Sequence, residues 1–427
     1  MKNLKNFFLL LIAVLLSTGI YSQKKDALRF ESGQIDAMLK TAKNQNKHLL
    51  VEIINGTQVA DDEYFNTIVF AHEKVSRIIP ENYILLKVNL KTDKNIKRYA
   101  KYNVHKYPTF LFLDGDDNIM YKLAGKVEPN IFLDASNFGI NPDNNMHLWK
   151  RMIDENPDAE SGILFNYAKG LYYGGDNYEL YKEKYFKNVG ANYAHDMNGI
   201  EAVLLFTEDM NDPRFTIFME DYSAIGPGNL NPRFVNKKIN EIISISIILS
   251  VSANKKIVLD DTISSTCRTF HIDDPMVVMS IVKMKYYKQI EKNQDNYFRA
   301  LTEYLMTSNG LLYNYELHSY IKELTNDCNN QEFLMMAITQ LNELISIDNK
   351  IDYQPTMIDI SIKLHNFSEA NHALEVLKSF NIEAKKYSEA ELNAMAEKIN
   401  KAHLEYKEAQ PKREVKKENN VIHKAKK

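Results

Sequence analysis

Three short apolar runs separated by stretches of helical spacing constrain this chain more than any other feature. Lys47 to Ile54 reads KHLLVEII, Tyr83 to Leu90 reads YILLKVNL, and Thr109 to Asp114 reads TFLFLD. Runs of this length with little polar alternation belong to strands buried on both faces, inside a sheet covered by helices. Ile35 to Asn44 precedes the first run and places Ile35, Met38, Leu39 and Ala42 on one helical face. Tyr64 to Ile79 returns to helical spacing, and Ile96 to Tyr102 is a short helix before the third run. Asp114-Gly115-Asp116-Asp117 is a turn signal, after which Ile119 to Leu123 pairs back as a hairpin strand. A helix follows Pro129. Strand and helix alternating twice, then a hairpin, then a helix, predicts an α/β domain built on a mixed sheet with helices on both faces.

At Pro142 the texture changes. From there to about residue 408 the pattern is helical, broken by short polar turns; examples are Ala159 to Tyr173, Gly199 to Met210, Met276 to Ile290, Asn296 to Met306 and Glu332 to Ile347. Paired helices with short connections predict an all-α bundle or helical-repeat array. The stretch holding Ile360, Lys363, Leu364, Asn366, Phe367, Ala370, Ala373 and Leu374 resembles a tetratricopeptide-type repeat, with Ala370 and Ala373 where two helices touch. No clean 34-residue period runs through the rest. Glycine and proline number 15 and 11 in 427 residues, which favours long helices over a turn-rich all-β chain.

Both ends read as something other than fold. Lys2 and Lys5 precede a ten-residue apolar run, Phe7 to Leu16, followed by the small residues Ser17, Thr18, Gly19 and Ser22. This is the layout of a secretory signal peptide over residues 1–22, cut before Gln23. The run is short of the roughly 20 residues a membrane span needs; an uncleaved anchor is the other reading. Ile242 to Val251, the most apolar stretch thereafter, is interrupted by Ser244, Ser246 and Ser250 and reads as a buried helix. Residues 412–427 hold seven basic and two acidic residues, 7 − 2 = +5. Such a tail has little to bury; it is either a solubilising end or a contact for an anionic surface. The expected division is therefore signal peptide 1–22, α/β domain 23–141, all-α domain 142–408 and charged tail 409–427. Formal charge is −3, and −5 without Lys2 and Lys5. That balance argues against nucleic acid as a partner, and no integral membrane segment is expected after cleavage.

The most specific motif is Lys106-Tyr107-Pro108-Thr109-Phe110-Leu111-Phe112-Leu113-Asp114. It resembles the strand of the thioredoxin superfamily that begins at a cis-proline, and the resemblance extends over residues 29–140. Lys47 to Ile54 is similar to the central strand leading into the active-site helix, Tyr83 to Leu90 to the next parallel strand, and Ile96 to Val104 to the helix end before the proline. Gly125 stands where these domains often carry a glycine. The resemblance implies that Pro108 is cis and that Tyr107, Pro108 and Thr109 border a peptide-binding groove.

The chain departs from the family at the active-site loop. Redox-active members carry Cys-x-x-Cys after the central strand, where the helix start lowers a thiol pKa. The corresponding residues here are Gln58, Val59, Ala60, Asp61 and Asp62, and no cysteine occurs before Cys267. Thiol–disulfide exchange needs a sulfur nucleophile, so this loop is a vestige. Asp61 and Asp62 suit a helix start, and Thr57 or Asp61 reads as a cap more readily than as a catalyst. Cys267 and Cys328 are the only cysteines; they either form a disulfide, which export permits, or are two separate buried thiols. His48, His72 and His105 are scattered through the α/β region, and a turn at Asn366-Phe367-Ser368 separates His365 from His372. No metal or cofactor signature is present. The expectation is a non-enzymatic, redox-inactive protein of the periplasm, or secreted, that binds other envelope or secreted proteins as a chaperone-like or scaffold module. The alternative is an oxidoreductase of unusual design using Cys267 and Cys328.

Overall fold

The computed structural model describes residues 28–410 except 57–58, 95, 157, 226–229, 254–258, 273 and 309. The expected signal segment 1–22 and residues 411–427 of the charged tail lie outside the described residues. The chain divides into two compact units, Met1–Phe206 and Thr207–Lys427.

In the first unit α1 (Ile35–Asn44) leads into β1 (His48–Ile54). Then come α2 (Val59–Tyr64), a π-helical turn over Phe65–Val69, α3 (Glu73–Asn82) and β2 (Tyr83–Asn89). The single helix expected from Tyr64 to Ile79 is thus interrupted: His72 has extended backbone, φ −61° and ψ 130°, immediately before α3. The wide turn lets Phe65 and Phe70 both reach one core. A short helix α4 (Ile96–Tyr99) continues as a 3-10 turn to Tyr102, then β3 (Thr109–Leu113), β4 (Ile119–Ala124) and α5 (Pro129–Ile140) follow.

The sheet order is β2-β1-β3-β4; β1 and β2 are parallel, and β3 is antiparallel to both β1 and β4. Alternation along the strands gives each face its own core. On one face Ile35, Met38, Leu39 and Ala42 of α1, the four residues expected there, pack with Leu49, Val51 and Ile53 of β1 and Leu111 and Leu113 of β3. On the other, Phe110 and Phe112 meet Phe132 of α5 with ring centroids 5.1 and 5.6 Å apart, and Phe65 lies 4.6 Å from Phe110. The two Phe132 contacts are edge-to-face, an arrangement the ring quadrupoles favour.

The compact unit does not stop at residue 141. Helices α6 (Met146–Glu155) and α7 (Ser161–Gly174) pack on β4, followed by α8 (Glu179–Val189) and α9 (Met197–Phe206). Trp149 of α6 sets its ring 5.3 Å from Phe138 and 6.4 Å from Tyr121 of β4. Pro142 therefore marks a change of secondary-structure type, while the packing continues to Phe206.

Every described secondary-structure element of the second unit is a helix or helical turn. It comprises α10 (Pro213–Ile225), α11 (Pro232–Ala253), α12 (Leu259–Thr269), α13 (Pro275–Lys285), α14 (Gln294–Thr307), α15 (Asn314–Asp327), α16 (Gln331–Ile347), α17 (Tyr353–Lys363), α18 (Phe367–Ala384) and α19 (Glu389–Ala409). Asn293, Asn330, Asn366 and Ser388 accept bonds from the first-turn amides of the helices they precede, the expected use of short polar side chains at an N-cap. Ala370 and Ala373 are buried where α18 meets α17. The Ile242 to Val251 stretch lies inside α11, and Ser246 returns its hydroxyl proton to the Ile242 carbonyl at 2.9 Å. Among the described residues no helix is long and apolar enough to cross a membrane.

Candidate functional site

Strand register gathers the motif residues at one end of the sheet. Ile54 pairs with Asn89, Ile53 with Thr109, and Thr109 with Ala124. The chain leaving β1, β2 and β4 therefore meets the chain entering β3. Because β3 runs antiparallel beside β1, Tyr107-Pro108 and the loop after β1 are brought to the same edge, half a hundred residues apart in sequence.

The Tyr107–Pro108 peptide bond is cis. Pro108 and Thr109 are buried and Tyr107 is half-buried. The Pro108 carbonyl accepts from Gly125 N at 2.7 Å, and the Thr109 hydroxyl donates to the Lys106 carbonyl. Gly125 has φ +76°, and a Cβ there would fall 2.4 Å from Cε of Lys106. The left-handed φ is what favours glycine here, since the exposed Lys106 side chain can move aside.

Across from the proline the chain leaves β1 through Asn55-Gly56. Gly56 has φ +93°, and its amide donates to Asn89 Oδ1 at 2.9 Å. Gln58 lies outside the described residues, as does Thr57, so the capping expected of Thr57 does too. Val59 and Ala60 open α2, and Asp61 and Asp62 stand in its first turn, where the helix dipole favours acids.

A charged group behind this loop escaped the sequence reading. Glu52, in the middle of β1, is 3% exposed. Lys87, its direct partner on β2, donates to Glu52 Oε1 at 3.2 Å and to Asp62 Oδ1 at 2.7 Å. Burial pushes the Glu52 carboxyl above its ordinary value; Lys87 pulls the other way without overcoming it, and Asp62 adds to the rise. Desolvation lowers Lys87, but its bonds to Asp62 and Glu52 outweigh that and hold the ammonium above its ordinary range. Lys87 thereby ties α2 to the sheet. The signal was available: two opposite charges sit mid-run in strands that otherwise read as wholly apolar.

The other singled-out residues do not join this site. Cys267 lies in α12 and Cys328 follows α15; both are free and buried, so no disulfide links them. Burial pushes the Cys267 thiol up to about 11 and also raises Cys328. His105 is exposed, while His48 is half-buried, its ring 5.9 Å from Tyr83 and its pKa lowered by burial. His365 sits in the turn before α18 with φ +57° and stacks on Tyr406 at 4.4 Å, whereas His372 is on α18 itself. Among the described residues no three His, Cys, Asp or Glu side chains gather as a metal site.

No protein-family model and no curated protein matches this chain.

Proposed function

We propose that this chain is a redox-inactive, thioredoxin-like protein of the cell envelope that holds other proteins as a chaperone-like or scaffold module. The observation that carries this reading is the strand register that brings Tyr107-Pro108-Thr109 to the same end of the sheet as a β1–α2 loop whose sequence has no cysteine. Without a thiolate the loop has no nucleophile for disulfide exchange. Asp61 and Asp62 serve the helix start and the Lys87 link instead. The strand order, with β3 antiparallel between β1 and β4, supports the resemblance of residues 29–140 to that superfamily. Export rests on the Lys2, Lys5 and Phe7 to Leu16 pattern.

The oxidoreductase reading finds no support in the two thiols. Cys267 and Cys328 are 3% and 2% exposed, and burial keeps both protonated near neutral pH.

The test has two arms. Purified protein should show no insulin reduction, and affinity capture from envelope extract should recover the same protein partners in replicate experiments, with fewer after Tyr107→Ala. Clear reductase activity, or capture indifferent to Tyr107→Ala, would sink the proposal.

A further inference from the structure

A cavity of about 330 Å3 opens in the first unit between the β3–β4 hairpin and the α6–α7 pair. Its floor is apolar: Met146, Tyr167 and Leu171 are each less than a tenth exposed. Its volume lies at the lower end of the ~300–1,000 Å3 typical of small-molecule sites.

The polar groups around it divide by their remaining hydrogen-bonding capacity. Asp117 accepts from Arg98, Lys101 and Tyr102, and these donors outweigh burial and hold its carboxyl below the ordinary value. Asp176 accepts two bonds from Lys122 and one from Asn103. Lys122 spends its own ammonium on Asp176 and on the carbonyls of Tyr102 and Asn103. The carboxylates in the wall are thus occupied by the protein.

At the mouth the balance is reversed. The side chains of Lys101 and Lys150 are 47% and 45% exposed, and His147 is exposed on the same rim. An ammonium offers three N–H donors. Lys101 spends one on Asp117, which keeps Arg98 and Tyr102 without it. Lys150 donates to both carboxylate oxygens of Asp154, at 2.6 and 2.5 Å, a pair on one helix whose side chains are 45% and 57% exposed. What the cavity offers an incoming molecule is therefore an apolar floor and, at its rim, the remaining N–H donors of two half-exposed lysines, each already paired with one carboxylate.

We propose that this cavity binds a small organic carboxylate carrying a compact apolar or aromatic body. The body lies on Met146, Tyr167 and Leu171, and Lys101 and Lys150 take the carboxylate. A neutral analogue of the same shape keeps the floor contact and loses the charge-assisted bonds, which are about twice as strong as neutral ones.

The probe is 3-phenylpropionate, titrated calorimetrically into the full chain beside its amide, 3-phenylpropionamide. The acid should bind, with the amide weaker by about tenfold or more. Lys101→Met and Lys150→Met should each weaken the acid severalfold and leave the amide unchanged. Leu171→Trp fills the floor and should abolish both, with circular dichroism reporting that the chain is folded. Absence of binding at millimolar 3-phenylpropionate would overturn the proposal. So would equal affinity for acid and amide, or lysine variants that bind the acid as the parent does.

Discussion

Lys122 on β4 and Asp176 in the turn after α7 are joined through both carboxylate oxygens, at 2.9 and 3.0 Å, with the lysine 2% exposed. The same ammonium also takes the Tyr102 and Asn103 carbonyls. One buried cation thereby binds together β4, the turn approaching the cis-proline, and the helical pair that follows Pro142. Gly175, in the left-handed region at φ +70°, makes the sharp turn that delivers Asp176.

Removing one partner of such a pair leaves the other charged and desolvated. Asp176→Ala should destabilise the first unit by about 3 kcal/mol, the low end for broken buried pairs because Asp176 keeps some exposure. The double variant Lys122→Met, Asp176→Asn should recover most of that loss. Trp149, the chain's one tryptophan and 3% exposed, reports this unit in urea titrations followed by fluorescence.

Phe132 is fully buried and touches Phe65, Phe70, Phe110 and Phe112. Phe132→Ala should cost about 3–5 kcal/mol, with Leu133→Ala, half-buried on the same helix, far milder. Equal losses in the same titration would show that the aromatic cluster does not hold this face of the sheet.

Glu52 gives a pH signature of definite sign. Its folded value is raised by burial above an unfolded value of about 4.3. The folded state therefore holds the proton more tightly. The stability linked to that proton is complete below the unfolded value and is lost as pH rises through the folded one. Relative to Glu52→Gln, which cannot ionise, the parent should lose thermal stability as pH climbs from 4 towards neutrality. A melting-temperature difference that stays flat across that range would contradict the assignment.

The thiols should be inert in the folded chain. At pH 7.5 iodoacetamide should label neither Cys267 nor Cys328 until denaturant is added, since both are buried and burial raises both. Mass spectrometry counts the adducts. Rapid labelling of either under native conditions would reopen the oxidoreductase reading.

The sheet, its helices and the proline edge were legible because they rest on local pattern. Apolar runs of strand length, the Ile35, Met38, Leu39 and Ala42 stripe and the Asp114 to Asp117 turn each carry their signal within a few residues. The π-helical turn after Tyr64 was not legible, because the same apolar spacing suits one helix or two. Lys122 lies within the expected hairpin strand Ile119 to Leu123, and nothing in the local pattern marks it or Asp176 as partners.

Sequence alone determined which residues seek a core, where strand and helix alternate, and that no sulfur stands in the loop after β1. Tertiary structure alone decided which distant residues share that core. It paired Glu52 with Lys87 through strand register, and it closed the sheet's last edge with α6 and α7. It also buried Lys122 against an aspartate 54 residues away. A charge's partner across the fold is set by packing geometry, and no short-range pattern in the chain encodes it.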